Sequence, residues 1–381
     1  MEKWNEILSK AADFPGPLYI YDLDMITERV NRIKRAFPDF HLLYSLKANP
    51  HPAIVALMGK NGVGADTASA KETELAAGQG VGRGGIYYSS PGKMKSDLLA
   101  AMDKCTIIAD SPNELNLLNS IARERGVHLT VGARLNIPNS LMSESSHEVM
   151  GGVATKFGIE LSDFMPLDFG RFENLDIAGI HVYFGSQLSD PAMILNNFRV
   201  IAAAALEIGK RHPLKFVNFG GGFGVPQSPG EKELELTELS ERIHNDTGVR
   251  ELLGIKVTCN LELGRYLVAE SGLFVTRVAD VKESFGTKYV IIDGGMNTFY
   301  RPVMTGDFHG VIQPGNEREQ EPITLVGNLC TPIDQYYAEI MMKTPEAGDL
   351  IAFRNAGAYG YSMSLLEFIS REKPKEIIIG G

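Results

Sequence analysis

The feature that most constrains this chain is an alternation of short apolar runs with helix-like segments through its first two thirds. HLLYSLKAN (41–49) reads as a strand ending in polar residues, and AIVALMGKNG (53–62) as a short helix with a Gly stop. The pair recurs as VGAD (63–66) with ASAKETELAAGQG (68–80), and as GIYYSS (85–90) with KSDLLAAMDK (95–104). It recurs again as TIIAD (106–110) with a helix opened by Ser111, Pro112 and Glu114. HLTVGARLN (128–136) precedes a long Ser/Gly-rich connection, and IAGIHVYFGS (177–186) precedes a helix over 192–211. KFVNFGGG (215–222), a helix near 235–246 and KVTCNLELGR (256–265) complete the series. Strands alternating with helices pair in parallel. Eight such units in about 240 residues fit a closed (β/α)8 barrel better than an open doubly wound sheet.

Past residue 270 the pattern changes to short strands split by Gly, Pro, Asn and Asp, with no convincing helix until LLEFISRE (365–372). This predicts a C-terminal all-β domain over 271–381, after a barrel over 31–270. PLYIYDLDMI (17–26) is strand-like and precedes the first helix, so residues 1–30 are expected to pair with the β domain. The net charge of −10 argues against nucleic acid as the main partner, because phosphate backbones need a basic footprint. Cys105, Cys259 and Cys330 are too far apart for a metal site or a disulfide framework. The eight histidines, His147 and His181 among them, form no metal-binding pair. The N-terminus has no apolar signal core, and no stretch approaches the roughly 18 apolar residues of a membrane span. A cytoplasmic protein is therefore expected.

Active sites of such barrels sit at the C-terminal strand ends. Those ends read Lys47, Asp66, Ser89, Ser90, Asp110, Arg134, Tyr183 to Ser186, Gly220 to Gly222 and Glu262 to Arg265. A partly desolvated strand-end lysine favours the neutral amine that a Schiff base needs. It also serves as a plain strand end reaching to solvent. The glycine triplet offers bare backbone N–H groups that suit a phosphate, or is simply a turn. Glu262 can hold a pyridinium N–H, or pair with Arg265 at the surface. Cys330 is packing or a reactive thiol. Tyr359, between glycines, is a phosphate donor or a surface ring.

Taken together the motifs are more specific. YSLKANP, GADTASAKETELA, TKFGI, GSQ, NFGGGFGV, ELGRYLVAESG, DGGMNTFYRP, GNLCTPID and AGAYGYSMS occur in the family order of the fold-type III pyridoxal-phosphate decarboxylases, from about Tyr19 to Phe368. The chain thus resembles the group that includes diaminopimelate and ornithine decarboxylases, which have an alanine-racemase-like barrel plus a β domain. The resemblance implies pyridoxal 5′-phosphate as cofactor, carried by Lys47, with Asp66 near the lysine and ring. It implies Ser186, Gly221, Gly222, Gly264, Arg265 and Tyr359 around the phosphate, and Glu262 on the pyridine nitrogen. Cys330 would come from a second subunit of a homodimer and protonate the carbanion. Asp334 and Lys156 would join in an inter-subunit ion pair.

Departures from the family pattern narrow the substrate. Tyr183 stands where the family stacks a His on the ring, with His181 two residues earlier. Thr331 replaces the acid that binds a distal ammonium, and Thr305 the Tyr that binds a distal carboxylate, while Arg265 and Arg301 remain. Removing a buried ammonium's carboxylate is costly. The expected substrate is therefore an amino acid with a modified distal end, free or held on a carrier protein. The C-T-P-x-D and A-G-A-Y-G motifs are similar to decarboxylases of siderophore (staphyloferrin-type) and butirosin-type assembly. Those act on citryl-diaminopropionate or a carrier-bound glutamyl group. Diaminopimelate decarboxylation is the main alternative. A racemase, which usually has Arg at the pyridine nitrogen, and a non-catalytic homologue rank lower.

Overall fold

The computed structural model describes Trp4, Ile7, Leu8 and residues 14–140 and 149–381. His147 and part of the Ser/Gly-rich connection lie outside the described residues, as does most of the segment before Phe14.

The chain divides into two compact units: residues 27–225 with 233–267, and residues 1–26 with 226–232 and 268–381. The first is a closed barrel of eight parallel strands. After β1 (Leu18–Asp22), which belongs to the other unit, come β2 (His41–Ser45), β3 (Gly64–Thr67), β4 (Ile86–Ser89), β5 (Thr106–Ala109) and β6 (Leu129–Asn136). The two-residue β7 (Ile159–Glu160) flanks β6, and β8 (Leu175–His181), β9 (Phe216–Gly221) and β10 (Thr258–Leu263) follow. β10 pairs back with β2, and β5 with β6 and β6 with β8, so the sheet has no free end. Phe216 fills the interior with Leu43, Tyr87 and Ile108. Gly132 and Gly179 make room for it, since a Cβ on either would lie within 3 Å of its ring.

Helix starts follow the side chains that read as caps. Ser69 accepts the Glu72 N–H and Ser111 the Glu114 N–H, both at 3.1 Å. Gly126 ends its helix at φ 64°. The helix Pro191–Gly209 is long and apolar enough to cross a membrane by length and composition, contrary to the sequence expectation. Half of its most apolar window is buried, with Ile194, Phe198, Ile201 and Ile208 in the core.

The second unit is a mixed sheet. Its main path runs β13 (Val311–Ile312), β16 (Leu350–Phe353), β11 (Gly272–Ser284), β12 (Thr287–Ile292), β14 (Gln320–Val326), β15 (Gln335–Lys343). β1 pairs antiparallel with β11 and parallel with β17 (Lys375–Ile379). Trp4, Leu8, Leu18, Ile20, Leu273, Val275, Ile312 and Ala352 form one core. The strand expected through Ile26 stops at Asp22, because the Asp22 carboxylate accepts the Asp24 and Met25 N–H groups and starts the helix Leu23–Ala36. Two expectations fail here. LLEFISRE is not an α-helix; only a 3-10 turn, Phe368–Ser370, forms, with Ile369 and Ser370 at positive φ. A short helix appears instead at Arg301–Thr305.

Candidate active site

The barrel rim gathers the expected polar groups. Lys47 leaves β2 through a single 3-10 turn, and its Nζ lies 3.0 Å from Asp66 Oδ2. Asp66 is buried and also accepts the Ser45 hydroxyl and, on its other oxygen, the Ser89 hydroxyl, both at 2.8 Å. Burial would raise this carboxyl, but the Lys47 charge, His181 and the Ser89 and Lys47 hydrogen bonds hold it below the usual range. Lys47 Nζ stands 5.7 Å from the centre of the Tyr183 ring. The Tyr183 hydroxyl is tied to Ser186 Oγ at 3.0 Å, which restrains the ring from its far end.

His181 does not share the position of Tyr183. It is buried, with Nε2 2.9 Å from Glu262 Oε2. Asn218 donates to the other Glu262 oxygen. A Cβ on Gly221 would come within 1.9 Å of the Glu262 carbonyl oxygen, and one on Gly222 within 1.9 Å of the Gly185 carbonyl oxygen. The two glycines therefore draw the β9 end against β10 and against the turn that carries Ser186. Gly264 packs on Ser45 and Ala48, beside the lysine turn. Arg265 is buried just after β10.

Several residues of this rim were given no role by sequence reasoning. Ser45 and Asn218 carry no motif signal on their own. Arg134 stood on the strand-end series; it is buried, lies over Phe157 and approaches Asp110 at 4.0 Å. Burial pushes its guanidinium down, against the opposing pull of Asp110, Glu262 and Asp66. Lys93 and Glu114, an enclosed ion pair 2.6 Å apart, brace the loop after β4.

The β unit holds the remaining candidates. Cys330 is exposed on the loop before β15, whereas Cys105 and Cys259 are buried. Thr331 follows it on the same loop. Asp334 is the expected substrate or inter-subunit contact. It is buried, and its two oxygens accept the Met296 and Leu329 N–H groups at 2.6 and 2.8 Å. It clamps the base of the Cys330 loop. Lys156, its expected partner, lies over Phe157 at 5.2 Å. The Thr305 hydroxyl donates to the Arg301 carbonyl at 2.9 Å and accepts the Asp307 N–H at 3.2 Å. This turn, through Gly306 at φ 71°, brings the Asp307 carboxylate onto Arg301, with Nε at 2.9 Å and Nη2 at 2.8 Å. Arg301 also lies over the ring of Tyr359, whose backbone sits at φ 57°.

Residues 23–269 match the family of pyridoxal-dependent decarboxylases, over the pyridoxal-binding domain. The chain belongs to this family. It is an enzyme of the decarboxylase group, and its cofactor is pyridoxal 5′-phosphate. The diaminopimelate decarboxylase of Campylobacter jejuni is 32% identical over 92% of this chain and 88% of its own. The L-glutamyl-[BtrI acyl-carrier protein] decarboxylase of Niallia circulans is 31% identical over 98% of this chain and 91% of its own. The crystal structure of Helicobacter pylori diaminopimelate decarboxylase complexed with L-lysine superimposes with a TM-score of 0.88 at 28% identity, covering 99% of this chain and 94% of that one. The rim of this pyridoxal-dependent decarboxylase fits the cofactor. Gly221 and Gly222, lacking a Cβ, let the β9 end pack against the Glu262 and Gly185 carbonyls with its backbone bare of side chains, and the buried Glu262 presents a carboxylate braced on both oxygens. Lys47 places an amine on the same rim, beside Asp66.

Proposed function

We propose that this decarboxylase removes the α-carboxylate of an amino acid whose distal end is acylated, thioesterified or otherwise extended, in siderophore- or antibiotic-type biosynthesis. The observation that supports this reading is the Arg301–Asp307 pair. A distal carboxylate such as that of diaminopimelate calls for an uncompensated cation, and Arg301 already holds a carboxylate of its own chain. Thr331, uncharged, stands where a distal ammonium would need an acid. The relative from Niallia circulans is named for a glutamyl group held on an acyl-carrier protein, and attachment through its distal carboxyl would remove the charge there. Diaminopimelate itself is the second reading, favoured by the names of several relatives.

In this reading Lys47 would hold the cofactor through its Nζ, which Asp66 orients. Ser186, Gly221, Gly222, Gly264, Arg265 and Tyr359 receive the phosphate, and Tyr183 covers the ring. Glu262 keeps the ring nitrogen protonated. The bound cofactor supplies the electron sink that makes loss of CO2 possible. Two copies of the chain pair, and the Cys330 Sγ of the second copy delivers the proton to Cα.

The test is CO2 release by the pyridoxal-phosphate-loaded protein from diaminopimelate, lysine and ornithine, set against citryl-diaminopropionate and a carrier-bound glutamyl thioester. Release confined to the distally derivatised substrates is expected. Efficient release from free diaminopimelate would move the enzyme to lysine biosynthesis.

A further inference from the structure

The glycine triplet at the end of β9 packs tightly enough to aim an amide. Asn218, two residues ahead of it, is fully buried. Its Oδ1 accepts the Gly220 N–H at 3.0 Å, a contact made where Gly220 turns back at φ 60°. That bond fixes which end of the amide faces which neighbour, so Nδ2 is left to donate to Glu262 Oε1. The approach is close because Gly221 carries no Cβ, at the point where the β9–β10 register shifts between Asn260 and Glu262. On the other side His181 Nε2 meets Glu262 Oε2 at 2.9 Å.

We propose that Asn218 is a positioning residue which, with His181, holds Glu262 as an aimed carboxylate for the ring nitrogen of the cofactor. An amide NH2 has only protons to offer, so the oxygen facing it presents a lone pair and not an O–H. Fixing both oxygens also removes the rotation that would turn the carboxylate away from the ring. Other groups around Glu262 act at longer range or are committed elsewhere: Arg134 approaches Asp110, Lys47 pairs with Asp66, and Tyr87 is bonded towards Asn260. The argument rests on the family cofactor and not on the identity of the substrate, so failure of the substrate reading leaves it standing.

The test uses cofactor-free protein and two ligands. Pyridoxine 5′-phosphate has the ring nitrogen but no aldehyde, so it forms no bond to Lys47. Benzyl phosphate has the phosphate and a ring without nitrogen. Calorimetric affinities give the ratio between them. Asn218→Leu, of similar volume, is expected to weaken pyridoxine 5′-phosphate by about tenfold or more and benzyl phosphate by less than about twofold. Asn218→Asp, of equal size, keeps the fold should the leucine variant lose it. Its two facing carboxyls cannot both ionise readily. Relative to wild type at the same pH, it should keep the ratio at pH 6, where the pair shares a proton, and lose it at pH 9. The proposal is overturned if either variant keeps the wild-type ratio at every pH, or if both ligands weaken together.

Discussion

Asp66 stands 3.0 Å from the Lys47 ammonium while its far oxygen takes the Ser89 hydroxyl at 2.8 Å. The carboxyl is held below its usual range, so it binds a proton less readily folded than unfolded. Its stabilising contribution is therefore present above the unfolded value of about 3.9 and is lost as pH falls through the lower folded value. Melting curves of wild type and Asp66→Asn should lie furthest apart above about pH 4.5 and converge in acid. A constant gap across pH 3 to 7 would contradict this account.

Lys47→Ala should reduce CO2 release by roughly four orders of magnitude and abolish covalent retention of the cofactor after borohydride reduction and denaturation. Retained turnover in that variant would remove Lys47 from its role.

Asp307→Ala should remove the carboxylate that the Arg301 Nε and Nη2 hold, at a cost of about 3 kcal/mol in unfolding free energy. The released cation should then raise activity on carboxylate-ended diaminopimelate relative to neutral-ended substrates. Competition kinetics read the selectivity directly; an unchanged preference would detach this pair from substrate choice.

The three thiols should separate by reactivity. Burial pushes Cys105 and Cys259 up to about 12, whereas Cys330 is exposed. Iodoacetamide at pH 8 should modify Cys330 first and inactivate the enzyme in step, with Cys330→Ser protected from alkylation. Mass mapping that finds Cys105 or Cys259 modified first would refute this order.

Asp334→Ala should free the loop that bears Cys330 by removing the acceptor of the Met296 and Leu329 N–H groups. A loss of about 2 kcal/mol in stability is expected, with faster backbone hydrogen exchange at residues 329–333. Unaltered exchange there would show that the loop is held by something else.

The barrel was legible because each strand is an apolar run that ends in a polar residue, and parallel strands buried on both faces carry that signal locally. The rim followed from the same ends: Lys47, Asp66, Ser186, Glu262 and the glycines are where strand boundaries put them. What was not legible depends on partners remote in sequence. Nothing near Asp334 announces that its acceptors face Met296, 38 residues away. KEIII is too short a run to distinguish β17 from a tail until β1 lies beside it. LLEFISRE has helix-forming composition, but no amphipathic face is buried there: Leu365, Phe368 and Ile369 remain exposed. The Thr305 to Asp307 turn joins residues only six apart, yet its meaning appears only once the carboxylate is seen on Arg301.

The position of β1 between β11 and β17 sets an order of events in time. The barrel residues have all been synthesised well before β17 leaves the ribosome, and every one of their pairings is available by then. The sheet that bears Arg301, Cys330 and Tyr359 gains β17 only after β1, β11 and the barrel strands have been made, because β17 follows them all in the sequence. The cofactor-binding rim is thus built early, and the surfaces proposed to choose the substrate and protonate the product are completed last.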